Sequence, residues 1–99
     1  MKIRWAHEAL EQLTAIDDYY IAKDSPERAA KFVDQLIEHA ESLSDKPRLG
    51  RMVPEIANPV IRKLLFKKYR IVYRLNKNYI EILTVFEGHR LLRIDEIEL

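Results

Sequence analysis

No cysteine occurs in the 99 residues, so disulfides and thiolate chemistry are closed to this chain. No apolar run approaches the eighteen or so residues that a membrane helix needs. The start, Met1-Lys2-Ile3-Arg4-Trp5-Ala6-His7-Glu8, lacks the apolar stretch of a signal peptide, and the expectation is a cytoplasmic protein with no membrane partner. Its histidines, His7, His39 and His89, are scattered without ligand spacing, so neither a metal nor another cofactor is expected. The most informative absence is of acid. Between Glu55 and Glu81 there is no carboxylate, while Arg62, Lys63, Lys67, Lys68, Arg70, Arg74 and Lys77 all fall there.

The remaining composition is that of an ordinary globular chain, 47% hydrophobic, and its length suits one domain spanning residues 1–99. Formal net charge is only +1. Near-neutrality argues against whole-molecule attraction to nucleic acid, which usually accompanies a clearly basic domain. The basic middle is balanced by acidic ends: Glu8, Glu11, Asp17 and Asp18 on one side, Asp95, Glu96 and Glu98 on the other.

Ile3 and Trp5 alternate with Lys2 and Arg4, which suits a short strand. Ala9, Leu13, Ile16 and Tyr20 recur at helical spacing and predict an amphipathic helix over about residues 7–22. Ser25-Pro26-Glu27 then reads as a helix start, with Ser25 as N-cap and Pro26 at the first helical position. Ala29, Val33, Leu36, Ala40 and Leu43 supply its buried stripe, widened by Phe32 and Ile37, and Asp45-Lys46-Pro47 ends it. Residues 47–59 read as a loop. Three strands follow, over 60–66, 69–75 and 79–86, the last two joined through Asn76-Lys77-Asn78 as a hairpin. Leu91 to Leu99 fits a strand, a helical turn or a tail ordered by a partner. The order β-αα-βββ predicts an α+β fold, with a helical hairpin packed on a mostly antiparallel sheet.

Within it, Tyr69-Arg70-Ile71-Val72-Tyr73-Arg74 is the stretch most suited to function. Period two places Tyr69, Ile71, Tyr73 and Leu75 on a core side and Arg70, Val72 and Arg74 on the other. That second side is expected to be open to an anion, a carboxylate or a phosphate. Solvation, or pairing with Glu81 across the hairpin, is the plainer reading of both arginines.

Read together, Tyr20-Ile21, Pro26 with Ala30, Gly50-Arg51, Val53-Pro54-Glu55, Arg62, the Tyr69–Arg74 strand, Ile82-Leu83-Thr84-Val85 and Arg90 form a run from Trp5 to about Arg90. This run closely resembles the RelE/ParE superfamily, the toxin halves of bacterial type II toxin–antitoxin modules, often labelled plasmid stabilisation proteins. The resemblance implies a toxin neutralised in a hetero-oligomer with a cognate antitoxin. The antitoxin's amphipathic segment would wrap the helices and sheet, with Leu13, Tyr20 and the sheet edge as apolar contacts.

Two activities occur in that superfamily: cleavage of mRNA on the ribosome by RelE-like members, and inhibition of DNA gyrase by ParE-like members. Metal-free RNA cleavage needs a base, an acid and a cation for the transition state. Laid on the RelE-type motif, Lys63, Arg70 and Arg90 match catalytic positions. Ile61 stands where a second lysine belongs, and Glu96 where a tyrosine belongs. Glu55, Arg70 and His89 could instead imitate the YoeB-type set. The ParE-type pattern fits better, through Gly50-Arg51-x-Val53-Pro54-Glu55 and Arg62-Lys63-Leu64, although Glu87-Gly88-His89-Arg90 replaces the usual His-Gly-Arg-Arg. The reading is therefore a ParE-like gyrase inhibitor with Arg51, Arg62, Arg70 and Arg74 as binding cations. A RelE-like ribosome-dependent mRNA endoribonuclease is the alternative, and an inactive relic that still binds antitoxin is a further one.

Overall fold

The computed structural model describes residues 1–88. His89, Arg90, Glu96 and the ambiguous 91–99 stretch lie outside the described residues. The element order is β1 (Lys2–Trp5), α1 (His7–Lys23), α2 (Pro26–Glu41), a 3₁₀ turn (Ser42–Ser44), β2 (Arg51–Met52), β3 (Ile61–Phe66), β4 (Tyr69–Leu75) and β5 (Tyr79–Glu87). The strands form one sheet in the order β1-β5-β4-β3-β2, parallel between β1 and β5 and antiparallel elsewhere.

The helices form where their stripes can be buried. Ala9, Leu13 and Ile16 of α1 and Leu36 and Ala40 of α2 meet Leu64, Tyr69, Ile71 and Tyr73 of the sheet in the main core. The Ser25 side chain accepts from the Arg28 backbone N–H at 3.2 Å, with Pro26 beginning the helix, as the cap signature requires. α2 ends earlier than expected, at Glu41. There the Ser42 hydroxyl donates to the His39 carbonyl at 2.6 Å, a local side-chain bond that competes with continued helix. The tighter 3₁₀ turn that follows still delivers Leu43 to the core.

Two features were not foreseen. Arg51 and Met52, inside the expected loop, pair with Lys63 and Arg62 as an edge strand, too short to carry a periodic signal. A register shift between Val72 and Tyr73 skips Leu83 on β5 and sends it to the sheet's outer face. That face has its own small core: Val53, Ile61, Val72, Leu83 and Phe86, with Ile56 packed against it. The non-helical side of β4 is therefore covered in part by the 53–60 loop, not left open as the alternation alone suggests.

β1 stops at Trp5, which leaves the Thr84–Val85 stretch of β5 without a strand on the side away from β4. Gln12 of α1 takes that place. Its Oε1 accepts from the Val85 N–H at 2.6 Å, and its amide exchanges hydrogen bonds with the Thr84 hydroxyl at 2.7 and 3.0 Å. The buried backbone group is thus satisfied by a side chain instead of a ladder.

Candidate functional site

The structure divides the expected cations of the sheet into two groups. Arg70 lies across from Phe86 in the ladder, its guanidinium 5.7 Å from that ring. Its Nη1 donates to Glu55 Oε2 at 2.7 Å and its Nη2 to the Gly88 carbonyl at 3.2 Å. The two side chains are only 11% and 22% exposed, so this charge pair is largely out of water. The partner expected across the hairpin was Glu81; the loop supplies Glu55 instead. Arg62 is also committed to the fold. It points to the helical side, opposite Tyr73, and donates from Nη1 to the Gly50 carbonyl at 2.8 Å.

Tyr73 anchors that same corner. Fully buried, its hydroxyl accepts from the Gly50 N–H and donates to the Pro47 carbonyl, both at 2.9 Å. Burial pushes the phenol's pKa upward, while the Gly50 hydrogen bond and the nearby Arg62 and Arg48 charges partly oppose that rise. Gly50 has no room for a side chain: an added Cβ would lie 2.5 Å from the Lys63 carbonyl and 2.6 Å from the Tyr73 hydroxyl.

Arg51, Lys63 and Arg74 form the other group. Arg51 and Lys63 stand directly opposite each other on β2 and β3, a like-charge pair that costs stability of up to about 1 kcal/mol. Arg74 faces Glu81 in the β4–β5 register, as expected. Beside the like-charge pair, a groove of about 590 Å³ runs between Leu49, Arg51, Met52, Pro54, Lys63 and Leu65. Leu49, Met52 and Leu65 are exposed, so the edge of the sheet is both apolar and basic. A short edge strand with charged residues blocks casual pairing, and beyond Lys63 the Leu65 carbonyl of β3 is held by His39 Nε2 at 3.1 Å.

At the other end of the sheet, Tyr20 stacks on Phe32 at 4.7 Å, and Phe32 meets Phe66 and Tyr69 edge-on. Lys67 lies over Phe32 and Phe66, and Lys68 over Tyr19 and Tyr69. Burial, with the Tyr20 hydroxyl beside it, drives the Tyr69 phenol strongly upward. Leu13, expected as a contact for a partner, is instead packed in the main core at 7% exposure. The exposed apolar residues of α1 are Leu10, Tyr19 and Ile21, which helical periodicity alone does not mark as sites.

Among the sequence-predicted residues, the structure thus brings together Glu55 and Arg70, and separately Arg51 and Lys63. It keeps Tyr20 at the aromatic end and turns Arg62 inward. His89 and Arg90, which belong to the expected nuclease sets, lie outside the described residues. Gly50, Tyr73 and Gln12 are the organising residues that spacing could not single out. Among the described residues, no group of three or more His, Cys, Asp or Glu could hold a metal ion, and no helix is long and apolar enough to cross a membrane.

The fold is thus a helical hairpin on a mixed five-stranded sheet whose β2–β3 edge carries Arg51 and Lys63. The family model described as the ParE toxin of the type II toxin–antitoxin system, parDE, matches residues 3–92. A Sinorhizobium fredii (strain NBRC 101917 / NGR234) protein named "Putative toxin Y4kP" is 33% identical over 91 residues, covering 90% of each chain. A solved structure described as the chromosomal ParDE TA system from P. aeruginosa superposes with a TM-score of 0.77 at 27% identity, covering 88% of this chain and 95% of that one. The chain belongs to the ParE toxin family of type II toxin–antitoxin systems.

Proposed function

We propose that this ParE-family toxin acts in the cytoplasm by binding DNA gyrase, and that a cognate antitoxin holds it inactive by covering the sheet edge. The observation that carries this reading is the state of the arginines within a chain that the family model matches over residues 3–92. Arg70 spends its guanidinium on Glu55 and the Gly88 carbonyl, and Arg62 donates to the Gly50 carbonyl. Cations committed to internal acceptors suit a binding scaffold more than a phosphate-processing centre, where a guanidinium must be free to follow developing charge. The Arg51–Lys63 pair lies at the sheet edge among the exposed apolar residues Leu49, Met52 and Leu65, which suits a protein partner. The same groove, bordered by an edge strand, would receive the antitoxin.

The test is negative supercoiling by purified gyrase with the folded protein added, scored for lost supercoiling and for trapped cleaved DNA. Lost supercoiling with accumulated cleaved DNA is the expected result. Unchanged supercoiling at large molar excess would refute the gyrase assignment.

One observation favours a second reading. Glu55 and Arg70 are adjacent, which is how a general base and a phosphate-binding cation would be arranged for ribosome-dependent mRNA cleavage. Programmed ribosomes with a defined mRNA separate the two: cleavage with supercoiling unaffected would select the endoribonuclease.

A further inference from the structure

A second groove, of about 760 Å³, lies at the end of the sheet where the β4–β5 hairpin meets the segment after the 3₁₀ turn. Its apolar walls come from Met1, Pro47, Leu49, Pro59, Val60 and Leu75. Leu49, Met1 and Val60 are 49%, 42% and 39% exposed, so the groove presents aliphatic side chains to solvent. Every titratable side chain lining it is a cation: Lys46, Arg48 and Lys77.

The walls are fixed before anything binds. The Tyr73 hydroxyl holds the Pro47 carbonyl at 2.9 Å, and the Val60 carbonyl accepts from the Leu75 N–H at 2.8 Å. On the third side, the Ser44 hydroxyl donates to the Met1 carbonyl. Pro47 and Pro59 stiffen the two chains that form the sides. A preformed groove avoids the ordering cost that weakens binding by mobile surfaces.

We propose that this groove binds a peptide segment of a protein partner in which aliphatic and acidic residues alternate. The aliphatic side chains would cover Leu49, Val60 and Leu75, and the carboxylates would meet Arg48 and Lys46 on one rim and Lys77 on the other. Charge complementarity selects the acid. The apolar floor selects against a nucleic-acid backbone, which would leave Leu49 and Val60 exposed. The groove adjoins the edge groove through Leu49, but its occupant is defined by its own lining and does not depend on the gyrase assignment.

The test uses the full chain and a fluorescein-labelled peptide of alternating glutamate and leucine, followed by fluorescence anisotropy. Control peptides replace leucine by serine or glutamate by lysine. The glutamate–leucine peptide is expected to bind, to weaken with added salt, and to lose about tenfold in affinity in the doubly substituted Arg48→Glu/Lys77→Glu protein. Both substitutions are on exposed side chains, and an unchanged far-ultraviolet circular dichroism spectrum checks that the variant is folded. The single variant Val60→Ser should weaken the same peptide independently of charge. Absence of binding by the glutamate–leucine peptide would overturn the proposal. So would equal binding of the lysine–leucine or glutamate–serine peptide, or affinity indifferent to the charge reversals. Self-association in sedimentation velocity that the Arg48→Glu/Lys77→Glu variant abolishes would assign the groove to a second copy and also overturn it. No outcome involves supercoiling, so the result stands apart from the gyrase experiment.

Discussion

Tyr73→Phe removes one oxygen, and the geometry says that two backbone groups lose their partner at once. The Gly50 N–H and the Pro47 carbonyl both bond to this hydroxyl at 2.9 Å, and Gly50 and Tyr73 are buried. A buried polar group stripped of its partner costs about 1–3 kcal/mol. Pro47 is only half-buried and recovers some hydration, so the sum is about 2–4 kcal/mol. For a domain of this size that corresponds to a fall in Tm on the order of 10–20 °C. Gly50→Ala strains the same corner differently, because its Cβ would meet the Lys63 carbonyl, the Tyr73 hydroxyl and the Tyr73 ring at 2.5, 2.6 and 2.7 Å. Overpacking of this kind costs about 1–3 kcal/mol. In the double variant the hydroxyl clash is gone, and the hydrogen bond that each change breaks is broken only once. The double loss should therefore fall short of the summed single losses by about 1 kcal/mol. Urea unfolding of the four proteins, followed by circular dichroism, closes the cycle. Strict additivity, or a Tyr73→Phe loss below about 0.5 kcal/mol, would refute the claim that this hydroxyl ties the loop to the sheet.

Three further outcomes are expected. Tyr69 and Tyr73 both have raised phenol pKa values in the fold, burial being the larger cause, so the unfolded chain releases these protons first; stability should be flat below about pH 10 and fall above it, and thermal melts of Tyr69→Phe should show a shallower alkaline decline. Lys67 sits at φ 52°, where a β-branched side chain is badly placed, so Lys67→Val should lower stability by about 1–2 kcal/mol, while Lys67→Gly trades relief of backbone strain against lost contact with Phe32 and Phe66 and should stay within about 1 kcal/mol of the parent in urea unfolding. Gln12→Ala strands the Val85 N–H and should cost about 1–3 kcal/mol, with faster amide exchange at Val85 as its local signature.

The helices and strand β4 are legible in the sequence because each carries an unbroken period: the Ser25 cap, the stripes of α1 and α2, and β4 all lie where spacing puts them. What stayed hidden has no period to read. A two-residue strand at Arg51–Met52 is shorter than any repeat, and the skipped Leu83 reverses the alternation of β5 partway along. Turn chemistry misled as well. Asn76 and Asn78 tolerate positive φ, yet the positive φ values among the described non-glycine residues belong to Ala57 and Lys67. Of the candidate site residues, identity announced the charges of Arg62 and Arg70 but not their partners. The acceptor of Arg62 lies 12 positions earlier, and those of Arg70 lie 15 earlier and 18 later, separations that no local pattern reports.

This distinction changes how substitutions at Arg70 should be interpreted. By alternation alone it would be a surface cation whose loss leaves the fold intact. With Arg70 only 11% exposed and paired at 2.7 Å, removing it takes a cation from the partly shielded Glu55 carboxylate and opens a gap beside Phe86, so the cost falls on folding as well as on function. Arg51 and Lys63 are the reverse case. They face each other at the edge of the sheet, so neutralising either one relieves a repulsion. An activity lost on Arg70→Ala can therefore reflect a loosened 53–60 loop. An activity lost on Arg51→Gln, in a protein at least as stable as the parent, has no such structural excuse and points to contact with a partner. The edge pair keeps charge at the expense of stability, and an activity lost there without loss of fold is the result that would mark it as a contact surface.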